Sequence, residues 1–279
     1  MVLAAMLFVF ADAAGAAAQA PQPIHADVVI PKPTPQAPLA DWTAARGRMT
    51  TSLSANGATL RGWSYAGTDP KAATIVFFNS NGTTIDRNDA LYRALAALGP
   101  SVVVYDYRGY GFSQGLAGVH VMQQDAVRIV DVVAREAGGR GVVVYGFSLG
   151  AAIAAYAAAN TTVAGVILAA PFASAQEELP IALTESGVPA STASTLTPAQ
   201  DAIDALGVAD FARSFQAPLL ILHGTADTDV PIAQGREVYS GSVSTPKRIV
   251  ELDGVNHAQT LMAPEARAAV RAFVLSLEH

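Results

Sequence analysis

From residue 74 onward, short runs that are apolar at every position alternate with stretches of helical periodicity. The runs TIVFF (Thr74–Phe78), SVVVY (101–105), GVVVY (141–145), GVILAA (165–170) and LLIL (219–222) have no polar face to offer water. A strand of this kind must be covered on both sides, and alternation with amphipathic helices means a mostly parallel sheet with helices on both faces. Helices are predicted over residues 88–98, from residue 119 to the glycines at 138–139, from Leu149 to about Ala159, over 232–239 and over 264–277. Ahead of them, two alternating segments flank Asn56-Gly57, the strongest short-range signal for a hairpin, which adds antiparallel strands at one edge. The segment between Phe172 and Phe211 breaks the alternation. It is polar, proline-punctuated and too short for a second domain, and it reads as a small helical lid above the sheet.

With 279 residues, about half of them hydrophobic, the chain can bury one large core without needing a second domain. Its net charge of -6 is dispersed and no basic block occurs, which argues against nucleic acid as a partner. The absence of cysteine removes disulfides, thiolate metal sites and cysteine nucleophiles. None of the five histidines stands four residues from another, so no metal pair and no cofactor is expected. Residues 1–20, an apolar run followed by small residues and Ala-Gln-Ala, read as a signal peptide. Export and no stable membrane span after its removal are therefore expected. Residues 21–45 are proline-rich and read as an extended leader or tether; the folded domain is expected over 46–279.

Ser148 lies in Gly146-Phe147-Ser148-Leu149-Gly150, between the run VVVY and the alanine-rich stretch AAIAAYAAA. A strand-to-helix joint with this pattern lifts a hydroxyl above the sheet on a sharp turn, where flanking side chains would clash. The following helix aims its N-terminus at the same point. A serine becomes a nucleophile only when a base removes its proton and a third group holds the base. In this architecture the partners follow in the order acid, histidine, each beyond a later strand. Asp227 and His257 occupy such positions. His25, His120, His223 and His279 do not: two are in the tails, one opens a helix and one ends a strand.

The chain from about Arg48 to Leu277 resembles the α/β-hydrolase family, most closely its serine aminopeptidase-like branch. The segments that carry the likeness are FFNSNG, DYRGYGFSQG, YGFSLGA and HGTADTDVP followed by GVNH. The resemblance implies Ser148 as nucleophile, His257 as general base and then acid, and Asp227 as the group that orients the imidazole. Asp229 is the rival acid, and the family's spacing favours Asp227. Asp253 reads as a loop-capping carboxylate, and Asp106 and Arg108 as structural groups behind the site. Backbone N–H groups of Leu149 and Asn81 would form the oxyanion hole. Here the chain departs from its relatives, with Asn79-Ser80-Asn81 where they carry His-Gly-Asn.

These readings converge on an exported hydrolase of ester or related acyl bonds, acting on a small-molecule substrate through an acyl-serine. An aminopeptidase or amidase is the alternative within the fold, and a non-catalytic binding protein the alternative outside enzymology. A lipid-surface hydrolase would want a more apolar lid than PIALTESGVPASTAS. Tyr105, Tyr107 and Tyr110 read as core packing and a loop hydroxyl, and Glu177 and Glu178 as a solvated face.

Overall fold

The computed structural model describes residues 23–26, 33–35, 49–53, 57–185 and 187–277. The predicted signal peptide and most of the proline-rich leader lie outside the described residues. The strands are β1 (Met49–Leu53), β2 (Thr59–Tyr65), β3 (Thr74–Phe78), β4 (Val102–Tyr105), β5 (Val142–Phe147), β6 (Gly165–Ala169), β7 (Leu219–Gly224) and β8 (Lys247–Leu252). They form one eight-stranded sheet in the order β1-β2-β4-β3-β5-β6-β7-β8. The β1–β2 and β2–β4 pairs are antiparallel, and the remaining pairs are parallel. β1 and β2 thus pair as the antiparallel edge expected there, while Asn56 of the predicted turn lies outside the described residues.

Every residue of β3, β4, β5, β6 and β7 is buried, as runs without a polar face require. The helices are α1 (Asp89–Ala96), α2 (Val119–Glu136), α3 (Leu149–Asn160), α4 (Ala175–Glu185), α5 (Ala190–Ala193), α6 (Gln200–Leu206), α7 (Val208–Ala212), α8 (Ile232–Gly241) and α9 (Pro264–Leu275). One cluster packs α2 and α3 onto one face of the sheet, and a second packs α1 and α9 onto the other. Helix α3 is apolar on all sides and the alanines from Ala151 to Ala157 are fully buried, so small side chains let it sit close against the strands.

Helices α4 to α7 come from the segment that broke the alternation, and Leu179, Leu183 and Ala193 give it a small core of its own. Ile24 packs against that core. The expectation of an unpacked leader therefore needs correction where the leader is described. Ile24 N–H donates to Thr197 O at 2.9 Å, Ala199 N–H donates to Ile24 O at 2.8 Å, and Ala26 is buried in the main core. Farther along, Pro33 O accepts from Gly111 N–H at 3.0 Å and Thr34 O from the Arg87 guanidinium at 3.1 Å. The physical reason is that proline removes donors but leaves carbonyls, and those between the prolines find partners on the domain.

Candidate active site

Ser148 stands between β5 and α3 with φ 55° and ψ -120°, a conformation costly for any residue with a Cβ. Its neighbours explain why both flanking positions are glycine. A Cβ at Gly146 would lie 2.0 Å from Gly150 O, and a Cβ at Gly150 would lie 2.1 Å from Phe78 O. The turn is thus pressed against its own helix on one side and against the end of β3 on the other. Ser148 N–H donates to Ala169 O at 3.0 Å, which ties the turn to β6. The Ser148 side chain keeps partial access to solvent. Leu149 N–H, in the first turn of α3, has no carbonyl four residues back within the helix.

The structure brings the predicted acid and base together. His257 Nδ1 lies 2.8 Å from Asp227 Oδ2, with the carboxylate fully buried and the imidazole 15% exposed. A carboxylate oxygen only accepts, so Nδ1 carries the proton of this bond. Asp227 Oδ1 accepts from Asp229 N–H at 3.0 Å and from Val230 N–H at 2.8 Å, so its backbone turn holds the carboxylate. Asp229, the rival acid, accepts only a long bond from Thr228 Oγ1 at 3.5 Å. The His257 ring lies 4.7 Å from that of Phe147, the residue before the serine. Among the described residues no hydrogen bond closes between His257 Nε2 and Ser148 Oγ.

A histidine that the sequence reading set aside supports the acid. His223, fully buried at the end of β7, has Nε2 2.8 Å from Val230 O and 3.6 Å from Asp227 Oδ2. Burial pushes its pKa down, so the ring is neutral and Nε2–H donates to the Val230 carbonyl. Among the described residues its Nδ1 is buried without a hydrogen-bond partner, and it fits against Gly235, where a Cβ would lie 2.2 Å away. The His-Gly pair on β7 was visible in the sequence, but nothing there pointed to Gly235. Gln234, also on α8, accepts from Ala173 N–H at 3.0 Å and so fixes the start of the insertion.

The other predicted residues fall as follows. Asp106 is buried and accepts from Ile85 N–H at 2.9 Å and Phe112 N–H at 3.0 Å. Burial pushes its carboxyl up to about 7 against those two donors. Arg108 makes a two-pronged bond to Asp125 of α2, both side chains being buried. Asp253 accepts from Thr225 Oγ1 at 3.3 Å, consistent with a loop cap. Glu177 is exposed, whereas Glu178 is half-buried and accepts from Gln234 Nε2 at 3.5 Å, so a solvated face describes only the first of the pair. Asn79 is buried and Asn81 exposed, on the loop that leaves β3. Among the described residues no cluster of metal ligands occurs, and no helix is long and apolar enough to cross a membrane.

Comparison with known proteins bears on the fold. The family model described as Serine aminopeptidase, S33 matches residues 69–206. A lysophosphatidylserine lipase, ABHD12, of Macaca fascicularis is 30% identical over 186 residues, covering 63% of this chain and 46% of the relative. The chain thus spans about half the length of the first curated relatives it matches. Among solved structures, esterase Pf2001 of Pyrococcus furiosus superimposes with a TM-score of 0.68 at 17% identity, covering 88% of this chain and 98% of that one. Est1E of Butyrivibrio proteoclasticus, solved with ferulic acid bound, gives a TM-score of 0.62 at 18% identity, covering 83% and 99%. The chain thus has the α/β-hydrolase fold, and its residues 69–206 match the serine aminopeptidase-like branch of that family.

Proposed function

We propose that the chain is an exported serine hydrolase that cleaves ester or related acyl bonds through an acyl-serine intermediate. The observation that carries this reading is the strained Ser148 turn beside a buried Asp227 carboxylate bonded to His257 Nδ1. A strained residue that the surrounding packing holds in place is characteristic of reactive sites. The names of its relatives, lipases and esterases, favour an ester over an amide.

In the reaction, Ser148 Oγ attacks the substrate carbonyl carbon while His257 Nε2 takes the hydroxyl proton. The Oγ–His257 contact closes in the substrate complex, as such contacts commonly do. Charge on the carbonyl oxygen is met by the N–H groups of Leu149 and Asn81 and by the N-terminus of α3. Asp227 holds the imidazole in the tautomer that accepts at Nε2 and stabilises the imidazolium. Collapse expels the alkoxide, which takes the proton back from His257. Water then attacks the acyl-serine, with His257 again as base, and the acid leaves as Ser148 regains its proton. Helices α4 to α7 act as the lid over this site, and residues 1–20 as the signal for export.

The test is labelling by a fluorophosphonate probe, with hydrolysis of p-nitrophenyl esters and aminoacyl p-nitroanilides measured in parallel. Labelling and ester turnover that both vanish in Ser148→Ala are expected. Turnover of the anilides above the esters would move the reading to an aminopeptidase. Failure of the folded wild type to label would leave a binding protein on a hydrolase fold. Sequencing the N-terminus of the exported protein tests removal of the signal.

A further inference from the structure

On the hydrolase reading, the loop Asn79-Ser80-Asn81 has to present a backbone N–H at a fixed point. Its surroundings show what holds it. Tyr92 OH, on α1, donates to Asn79 Oδ1 at 2.6 Å. Tyr107 OH donates to Asn79 O at 2.7 Å, and Tyr110 OH to Asn81 Oδ1 at 3.0 Å. All three rings are buried. Their orientations are fixed by ring packing, Tyr107 on Tyr110 at 5.6 Å and Tyr92 on Phe77 at 5.6 Å. The root of the loop is pinned as well, since Phe78 O and Asn79 O fill the space where Gly150 would carry a Cβ.

We propose that Tyr92, Tyr107 and Tyr110 are positioning residues that hold this loop so that Asn81 N–H meets the developing oxyanion. This rests on the hydrolase reading above. Three hydroxyls from two separate segments, α1 and the loop after β4, converge on two residues of one loop, Asn79 and Asn81. Those of Tyr92 and Tyr107 satisfy buried acceptors of Asn79 that a phenylalanine could not reach. Because the donor acts on charge that exists only in the transition state, a misplaced loop lowers kcat and leaves substrate binding nearly unchanged.

The experiment compares Tyr92→Phe, Tyr107→Phe and Tyr110→Phe with Tyr105→Phe, in the full chain. Tyr105 supplies the control: its OH is buried without a hydrogen-bond partner among the described residues, and its ring lies against Gly62 of β2. Kinetics on p-nitrophenyl butyrate, phosphonate labelling rates and thermal stability are measured for each. Each clamp variant is expected to lose about tenfold to a hundredfold in kcat, with KM within about threefold and labelling slowed in proportion. Tyr105→Phe keeps wild-type kcat. Folded clamp variants with kcat equal to that of Tyr105→Phe overturn the proposal, and so do losses confined to KM or to stability. A wild type that neither labels nor turns over ester sinks the hydrolase reading itself. An active wild type with unaffected clamp variants sinks only the clamp. If one variant fails to fold, the other two decide.

Discussion

Gly235→Ala tests the support behind the candidate acid. The new Cβ would lie 2.2 Å from His223 Nδ1 and about 3 Å from Cε1 and Cγ, whereas ordinary contact begins near 3.4 Å. The ring must therefore retreat by about 1 Å. Its far end has nowhere to go, because Nε2 is bonded to Val230 O at 2.8 Å and the side chain is fully buried. Overpacking of this kind costs about 1–3 kcal/mol, and loosening the Val230 bond adds about 0.5–1.5 kcal/mol. In a domain of this size each kcal/mol moves Tm by about 2–4 °C, so a fall of about 5–15 °C is expected by differential scanning fluorimetry. Val230 N–H also holds Asp227 Oδ1, so ester kcat should fall about tenfold or more along with Tm. Gly241→Ala, at the end of the same helix, is the control. Its Cβ would meet only the exposed Arg213 guanidinium at 3.3 Å, and Tm should hold or rise. A Gly235→Ala protein with Tm within a degree of wild type and full activity would refute the reasoning.

Three further outcomes are expected. Asp227→Asn, which disturbs the His257 tautomer while keeping shape, should lower ester kcat about a thousandfold or more, and an equal loss in Asp229→Asn instead would reassign the acid. The Asp106 carboxyl, raised in the folded state to about 7, contributes stability below its unfolded value near 4 that is lost as pH rises to about 7. Urea unfolding should therefore show wild-type stability declining relative to Asp106→Asn between those values and levelling above them; a constant difference would refute it. Ala26→Asp buries an unpaired carboxylate in the core and should cost about 2 kcal/mol or more, seen as a lower Tm, whereas an unchanged Tm would mean that residues 23–26 do not dock.

The parts of this molecule that follow from local chemistry could be read before any coordinates. Uniformly apolar runs such as Val142–Phe147 have one way to be buried, and Asn56-Gly57 has a strong preference for a hairpin. Gly146 and Gly150 announce a strained turn because no other residue tolerates contacts of 2.0 and 2.1 Å. What could not be read depends on segments distant in sequence. Ala26 meets the core, Ile24 meets Thr197, and Gly235 makes room for a histidine on another strand; no periodicity encodes such pairs. The tyrosines lay between the two cases. Their hydroxyls needed partners when buried, but only the fold shows that the partners lie on one loop.

The candidate site is assembled from three pieces, each fixed by a different device. Close glycine contacts fix the serine turn, backbone N–H groups fix the acid, and buried hydroxyls fix the Asn79–Asn81 loop. Of the insertion, α4 and α5 share a small core of their own and reach this framework through Glu178 on Gln234, whereas α6 and α7 are buried in the main core beside α3. Substitutions in α4 and α5 can therefore reshape that part of the insertion while the groups proposed to carry the reaction keep their places; substitutions in α6 and α7 disturb the packing of α3. The same separation explains why the chain can share a fold with proteins that differ from it at more than four-fifths of aligned positions. The part of the insertion that can vary independently of the candidate site is thus residues 175–193, while the groups proposed for the chemistry sit at the ends of β3, β5, β7 and β8.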